Sequence, residues 1–491
     1  MKNIKYLAVL ALGLIACEAE VDNPIADGGY YTAGNVDLSN YVAVGNSLTA
    51  GYADGALYTA GQENSYPNMM ANRFALTGGG SFTQPMVSDN LGGLLMGGTQ
   101  IQPTRFVLSG TSQSNLAPIR KAGTPSTDIT NVLSGNFNNM GVPGAKSFHL
   151  LSDKYGNISE FNPNPALNKA NPYFIRFASS PSATIIGDAV AQNPTFFSLW
   201  IGNNDVLSFA TSGGTGVDQT GNPDPSTYGP NDITDPGKFH DIYQTLLGQL
   251  TANGAKGVVM NLPAVTTIPY FTTIPYNLIP MDAATAGAVN GSYAAYNGAV
   301  AAFLPPAEAA QRTINFVAGQ NAVVITDESL TDLTGSGLPS IRMATAADLI
   351  VLPARSVIGT LADPANPASV IGVGVPLADQ WVLTADEVNM IATAQAGFNA
   401  TITALAAANP DVIMVDVKAM MQQIANGGVA YDGGVITSTY GSGGGFSLDG
   451  VHPTARGYSL IANAAIKKMN MTFGGTIPMV NPGTYPTVYV D

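Results

Sequence analysis

The chain predicts an α/β fold of three layers, α/β/α, around a central and mainly parallel sheet, with large loop insertions. Three observations carry this expectation. Short apolar runs end at glycines, as Tyr41 to Val44 does before Gly45 and Thr195 to Ile201 before Gly202. Segments with helical spacing lie between such runs, as at Ile242, Leu246, Leu247 and Leu250. The alternation resumes late in the chain, where Val412 to Val415 closes at Asp416. Short apolar runs bounded by turn residues suit strands buried on both faces of a parallel sheet. Strands that alternate with helices suit a layered α/β architecture.

The elements follow in order. Residues 1–16 read as a signal peptide: Lys2 and Lys5 form a positive start, and Tyr6 to Ala16 is an apolar run too short to span a bilayer. Leu14-Ile15-Ala16-Cys17 resembles the lipobox of bacterial lipoproteins, which implies that Cys17 is lipidated and begins the mature chain. Two or more acyl chains make such an anchor stable. Cys17 is the only cysteine, so no disulfide forms within the chain. Residues 17–40, small and polar after the acidic Glu18, Glu20 and Asp22, read as a tether. Tyr41 to Val44 is the first strand. The stretch 53–130, rich in Gly, Ser, Thr and Gln, reads as a long loop insertion. A strand-to-turn unit follows at 137–145, then the strand at 195–201, a helix over 241–253 and a strand at 257–262. Residues 263–380 form a second insertion over one end of the sheet, with an Ala-rich helix at 282–312. Thr384 and Glu387 are spaced as a capping box that opens a helix to about Ala408, ended by Asn409-Pro410. A last helix runs from Pro453 to about Met469, with Pro453 in its first turn. The main domain is thus 41–470, and 471–491 is a C-terminal tail.

Composition narrows the function. The chain has 491 residues, 45% of them hydrophobic, which is enough for a large core. Its net charge is −14, with 33 acidic against 19 basic residues. Nucleic-acid binding needs a basic footprint, so this balance argues against it. With 55 glycines and 32 prolines the chain suits a fold with many loops. Three histidines and one cysteine leave little material for a metal centre, and none is expected.

Three segments carry chemistry together. Gly45-Asn46-Ser47-Leu48 puts a hydroxyl after a strand and a glycine turn. Gly202-Asn203-Asn204-Asp205 puts carboxamides after an apolar strand, and Asp449-Gly450-Val451-His452 sets an acid three residues before a histidine. Serine-based acyl transfer needs a nucleophile, donors for an oxyanion, and a base with a group that orients it. Taken singly, each segment also reads as an ordinary turn, since Gly, Asn, Asp and Ser are the residues turns favour. His149, beside Phe148 and Leu150, reads as a packed histidine, and His240 as a surface residue at a helix start.

In combination the blocks resemble the SGNH, or GDSL-like, hydrolase family. Gly45-Asn46-Ser47-Leu48-Thr49-Ala50-Gly51-Tyr52 is similar to its nucleophile block and Asn139-Met140-Gly141-Val142-Pro143-Gly144 to its second. Gly202-Asn203-Asn204-Asp205 is similar to the third and Asp449-Gly450-Val451-His452-Pro453 to the fifth, in the family's order. The resemblance covers roughly 41–262 and 384–470. It implies a flavodoxin-like sheet and a serine esterase or lipase-type hydrolase that works without a cofactor. Ser47, Asp449 and His452 would be catalytic, and the Ser47 and Gly144 N–H groups with the Asn204 side chain would form the oxyanion hole. No Gly-x-Ser-x-Gly elbow is present, which separates the chain from the α/β-hydrolases. Asn46 departs from the family, which carries Asp before the serine.

The expected partners are an ester substrate, either an acetylated glycan or a lipid, and a membrane through the Cys17 anchor. The implied location is the cell envelope, lipid-anchored at the outer membrane, with a periplasmic and a surface-exposed orientation both left open. The competing reading is a noncatalytic surface lipoprotein of the same fold that binds glycan or a partner protein.

Overall fold

A computed structural model describes residues 30–110 and 117–491. The signal peptide, Cys17 and the tether up to residue 29 lie outside the described residues. The architecture is mixed α/β, with a central five-stranded parallel sheet flanked by helices. Its strands are β1 (Tyr41–Gly45), β2 (Asn139–Gly141), β3 (Phe196–Trp200), β4 (Lys256–Met260) and β5 (Val412–Val415). They lie in the order β5-β4-β3-β1-β2. The chain leaves β1 for β2 on one side and returns to place β3 on the other. The carboxyl ends of β2, β1 and β3 are therefore neighbours, at the point where the strand order reverses, which is where open α/β sheets bind ligands.

β1 and β3 are buried along their whole length, as their unbroken apolar runs require. Gly45 ends β1 because nothing larger fits: a Cβ there would meet Thr49 Oγ1 at 2.2 Å and the Trp200 carbonyl at 2.5 Å. The helices include α1 (Ser47–Ala50), α2 (Tyr66–Phe74), α3 (Asn204–Thr211), α4 (Pro236–Thr251), α5 (Ala283–Phe303), α6 (Pro306–Arg312), α7 (Ala385–Ala408), α8 (Val417–Ala425) and α9 (Ala455–Phe473), of which α5 and α6 pack on each other within the second insertion. α4 packs on α7 and α2 on α9. α4 buries Phe239, Ile242, Tyr243, Leu246, Leu247 and Leu250, a stripe at helical spacing. Each such apolar side chain contributes roughly 1.5–3 kcal/mol on burial. Phe239 meets Phe398 of α7 with ring centroids 4.4 Å apart.

Several boundaries move. The helix expected over 241–253 begins at Pro236, because Asp235 caps it by accepting from Lys238 N–H at 2.6 Å and Pro236 fits the first turn. His240 is therefore inside this helix and half-buried. The Ala-rich helix is two, α5 and α6, since Pro305 and Pro306 offer no N–H to continue the first. Pro453 precedes the last helix instead of opening it: Thr454 is the cap, and its Oγ1 accepts from Gly457 N–H at 3.0 Å. The capping box at Thr384 and Glu387 forms as spaced, and Asn409 ends that helix. Asp416 closes β5 and also caps α8, a helix absent from the sequence reading.

The described parts of the insertions carry secondary structure. Residues 53–130 contain α2 and antiparallel pairs, among them Phe106–Ser109 with Ala117–Arg120. Residues 263–380 hold antiparallel pairs of their own, such as Val324–Thr326 with Ile341–Met343. Arg342 pins that region, pairing with Asp327 at 2.6 Å and Asp348 at 2.7 Å. The two ends of the domain are packed as well. Val36 and Leu38, in the expected tether, are buried, and Asn35 N–H donates to the Phe473 carbonyl at 2.8 Å. In the tail, Ile477 and Val480 join the same core. Among the described residues no helix is long and apolar enough to cross a membrane.

Candidate active site

Three adjacent strand ends deliver three of the expected residues. β1 leads through Gly45 to Ser47, the first residue of α1. Asn46 caps that helix: its Oδ1 accepts from Leu48 N–H at 3.0 Å. Its Nδ2 donates to Asn203 Oδ1 at 3.1 Å. The amide at position 46 thus ties the serine turn to the β3 turn, through a donor that a carboxylate lacks. β3 leads to Asn204, whose Nδ2 donates to the Ala145 carbonyl at 2.9 Å. That bond uses one of its two amide hydrogens and fixes the amide. β2 leads to Gly144, at φ +83°, a left-handed conformation that favours glycine. Asn171 holds this turn by donating to the Pro143 carbonyl at 2.8 Å. Neither the Ser47 nor the Gly144 N–H has an acceptor among the described residues.

The histidine arrives from the loop before α9. His452 Nε2 lies 2.9 Å from Ser47 Oγ, and His452 Nδ1 lies 2.8 Å from Asp449 Oδ2. An ionised carboxylate only accepts, so Nδ1 carries the proton and Nε2 is left to accept from the serine hydroxyl. The proton positions follow from the bonding network. The turn that folds Asp449 back on His452 needs Gly450 at φ +73°. Ser47, Asp449 and His452 are thus brought into one relay, each with little exposed surface: 6% of Ser47, and 11% and 14% of the other two side chains.

Asp449 is heavily bonded. Besides the ring N–H it accepts from Gly55 N–H at 2.8 Å, His452 N–H at 2.8 Å, Val451 N–H at 2.9 Å and Ser447 Oγ at 3.1 Å. Burial works to raise its carboxyl, but the His452 ring and the bonds from His452 and Val451 outweigh this and hold it down at about 2. The Tyr52 ring lies against His452, with centroids 4.7 Å apart.

Three supporting residues, Asp54, Gly55 and Ser447, lie outside the sequence reading of the site and act through Asp449. Asn203, part of the third block, acts through Asn46. Asp54-Gly55 is a turn pair a few residues past Ser47, and that was the available signal. Asp54 is buried at φ +53°, accepting from Leu448 N–H and Tyr58 Oη at 2.9 Å each. Asp205, which closes the third block, holds Ser147 through N–H at 2.8 Å and Oγ at 2.5 Å. It is a brace for the Gly144 segment. His149 is half-buried and stacked on Tyr155 at 4.3 Å, and its Nδ1 accepts from Lys146 N–H at 3.0 Å. Burial, and then nearby Lys146, pushes its pKa down to about 3, so it stays a neutral packed ring.

The space beside Ser47 is small, about 40 Å³, with walls that include Trp200, Leu207, Val265, Ile268 and Met421. Residues 263–268 thus reach the site, while Leu262 and Phe271 belong to the core. Among the described residues one group, Glu328, Asp379 and Glu387, brings carboxylate oxygens within 4.8 Å of one another in the manner of metal ligands, and it shares no residue with this site. Chemically, the site offers a hydroxyl bonded to an oriented base, two free N–H groups nearby and a fixed carboxamide. In comparisons with protein-family models, curated proteins and solved structures, nothing matches the chain, so its reading rests on this geometry.

Proposed function

We propose that this chain is a serine esterase of the SGNH type, cleaving a carboxylic ester through an acyl-serine intermediate. The observation that carries the reading is the continuous relay from Asp449 through His452 to Ser47, at 2.8 Å and 2.9 Å. His452 Nε2 takes the proton as Ser47 Oγ bonds to the ester carbonyl carbon. Negative charge gathers on the carbonyl oxygen, opposite the N–H groups of Ser47 and Gly144 and the free amide hydrogen of Asn204. The intermediate collapses, the carbon–oxygen bond to the alcohol breaks, and His452 returns the proton to that alcohol. Water, deprotonated by His452 in turn, attacks the acyl carbon and releases the acid. Asp449 stays ionised and steadies the imidazolium throughout.

Small walled space at Ser47 favours a short acyl group, so we take the substrate as an acetylated glycan in preference to a long-chain lipid. The same reading gives the chain the three-layer α/β/α arrangement of its family. Cys17 is then the lipidated anchor at the outer membrane of the cell envelope. Hydrolysis of an aryl acetate by the purified protein, compared with Ser47→Ala, tests the mechanism. A fall to background is expected in the variant, and equal rates in the two proteins would overturn it.

A further inference from the structure

A second cavity opens beside Gly144. It measures about 700 Å³ against about 40 Å³ at Ser47. Ligand sites commonly span roughly 300–1,000 Å³. Gly144 is in its lining, and there the nearest atom to a built Cβ is Asn171 Nδ2 at 3.8 Å. Ser208 is another wall, one turn along α3 from Asn204, whose carbonyl accepts from Ser208 Oγ at 3.2 Å. The cavity therefore lies against Gly144 and, through Ser208, one residue removed from Asn204, on a scale that suits the alcohol part of an ester.

Charge narrows the occupant. The chain carries 33 acidic residues, yet the lining contains no Asp or Glu and includes Lys146, Lys154, Lys169 and Lys238. Lys146 is buried and committed to the fold, its Nζ donating to the Asp232 carbonyl at 2.7 Å. Lys154 and Lys169 are exposed and Lys238 half-exposed. Among the described residues none of these three has a carboxylate within ion-pair distance. Asp224 lies near enough to feel Lys238 but is fully exposed. In a chain of net charge −14, this is a positive cleft, and among the described residues Lys154, Lys169 and Lys238 have no carboxylate partner.

The walls offer what a sugar chain uses, aromatic rings and polar groups, beside the aliphatic Leu151, Leu167 and Ile242. Tyr155 and His149 are stacked with an angle of 12° between their planes, and Phe148 meets Tyr228 edge to face at 5.7 Å. Asn168, Ser152 and Ser226 interrupt these rings with polar groups. A sugar ring lays its C–H face on an aromatic ring and turns its hydroxyls to amides and other hydroxyls.

We propose that this cleft holds the chain of an acidic glycan, with uronate carboxylates paired to Lys154, Lys169 and Lys238 and the esterified ring at Gly144. The position of the ester rests on the esterase reading of Ser47, whereas the anionic chain rests on the cleft alone. Calorimetric titration of the Ser47→Ala protein with an oligogalacturonate, and with a neutral malto-oligosaccharide of equal length, tests it. Binding of the acidic oligomer and not the neutral one is expected. Replacing the three lysines together by Gln should raise Kd about tenfold or more, and Arg at all three should restore it. An unchanged melting curve in the Gln variant separates lost charge from lost fold. No binding of the oligogalacturonate, equal binding of the neutral oligomer, or a Kd indifferent to the Gln variant would each overturn the proposal. Binding to phosphatidylglycerol vesicles in place of the oligogalacturonate would overturn it in favour of a lipid. If the wild-type protein fails to hydrolyse aryl acetate while the oligogalacturonate still binds, the esterase reading falls and the cleft stands.

Discussion

Asp54 and Asp449 are coupled across two loops. Asp54 Oδ1 accepts the Leu448 N–H at 2.9 Å, and the next residue, Gly55, gives its own N–H to Asp449 Oδ2 at 2.8 Å. Ser447 completes the clasp, donating to Asp449 Oδ1 at 3.1 Å while accepting from Asp54 N–H at 2.9 Å. The loop that carries the histidine is thus locked to the chain just beyond the serine.

Asp54 is therefore expected to act as a positioning residue. Asp54→Ala leaves the Leu448 N–H and Tyr58 hydroxyl without their acceptor, which costs about 2–3 kcal/mol of stability. It should lower kcat for aryl acetate about tenfold with little change in KM, since the substrate does not touch it. Asp54→Asn keeps an acceptor for Leu448 and tolerates the positive φ, so it should recover most of kcat. Steady-state kinetics beside thermal melting check this; a change confined to KM would contradict it.

Asn204 offers the sharpest measure of the oxyanion assignment. Removing one preorganised donor lowers kcat roughly 10²–10³-fold. Asn204→Ala should fall in that range with KM nearly unchanged. Asn204→Asp, which keeps the size but loses both the oxyanion donor and the bond to the Ala145 carbonyl, should be as slow. A variant that keeps more than about a third of wild-type kcat would remove Asn204 from the hole.

Acyl length should be limited by the space at Ser47. With about 40 Å³ available, kcat/KM should drop at least about tenfold from aryl acetate to aryl octanoate. Leu207 is half-buried in that wall, so Leu207→Ala should widen the space at modest loss of stability and narrow the gap between the two esters. A preference for octanoate in the wild-type protein would contradict this reading.

Stability should decline as pH rises toward neutrality. Burial, followed by neighbouring Glu328, pushes Asp379 up to about 7. Burial likewise takes Glu387 up to about 7, against the bonds from Thr384. A free carboxyl ionises near about 4. Between these values the folded chain keeps protons that the unfolded chain has lost. The stabilisation is complete below about pH 4 and is lost as pH rises through about 7. Asp449 and Asp128, held at about 2, are ionised across that window and add no slope. Tm should be higher near pH 5 than near pH 8, and Asp379→Asn should shrink the difference. The same difference in both proteins would contradict the assignment.

The legible parts of this chain were those where local chemistry and tertiary role agree. β1 and β3 are uniformly apolar because both faces are covered, and the capping box at Thr384 and Glu387 is specified by its own spacing. Ser47 and Asn204 could be read because each follows a strand end, whereas Gly144 entered only through the resemblance of its block. Asp449 and His452 could be read because the carboxylate curls back over a single turn. The missed parts depend on pairings distant in sequence. α2 lies in a Gly- and Ser-rich setting and is held by α9, nearly four hundred residues on. The antiparallel pairs of the insertions are short and carry mixed polarity, so no period marks them. Asp54 looks like a turn residue, and only its contact with Leu448 reveals what it does. Asn46 looked like a departure, whereas its Nδ2 makes a bond to Asn203 that Asp cannot donate.

The most direct measurement is labelling by a serine-directed fluorophosphonate, read by intact mass and peptide mapping. The account predicts one adduct per chain, on the peptide that holds Ser47, absent in Ser47→Ala and strongly slowed in His452→Ala. Folded wild-type protein that takes no label, or carries it equally in Ser47→Ala, would contradict it.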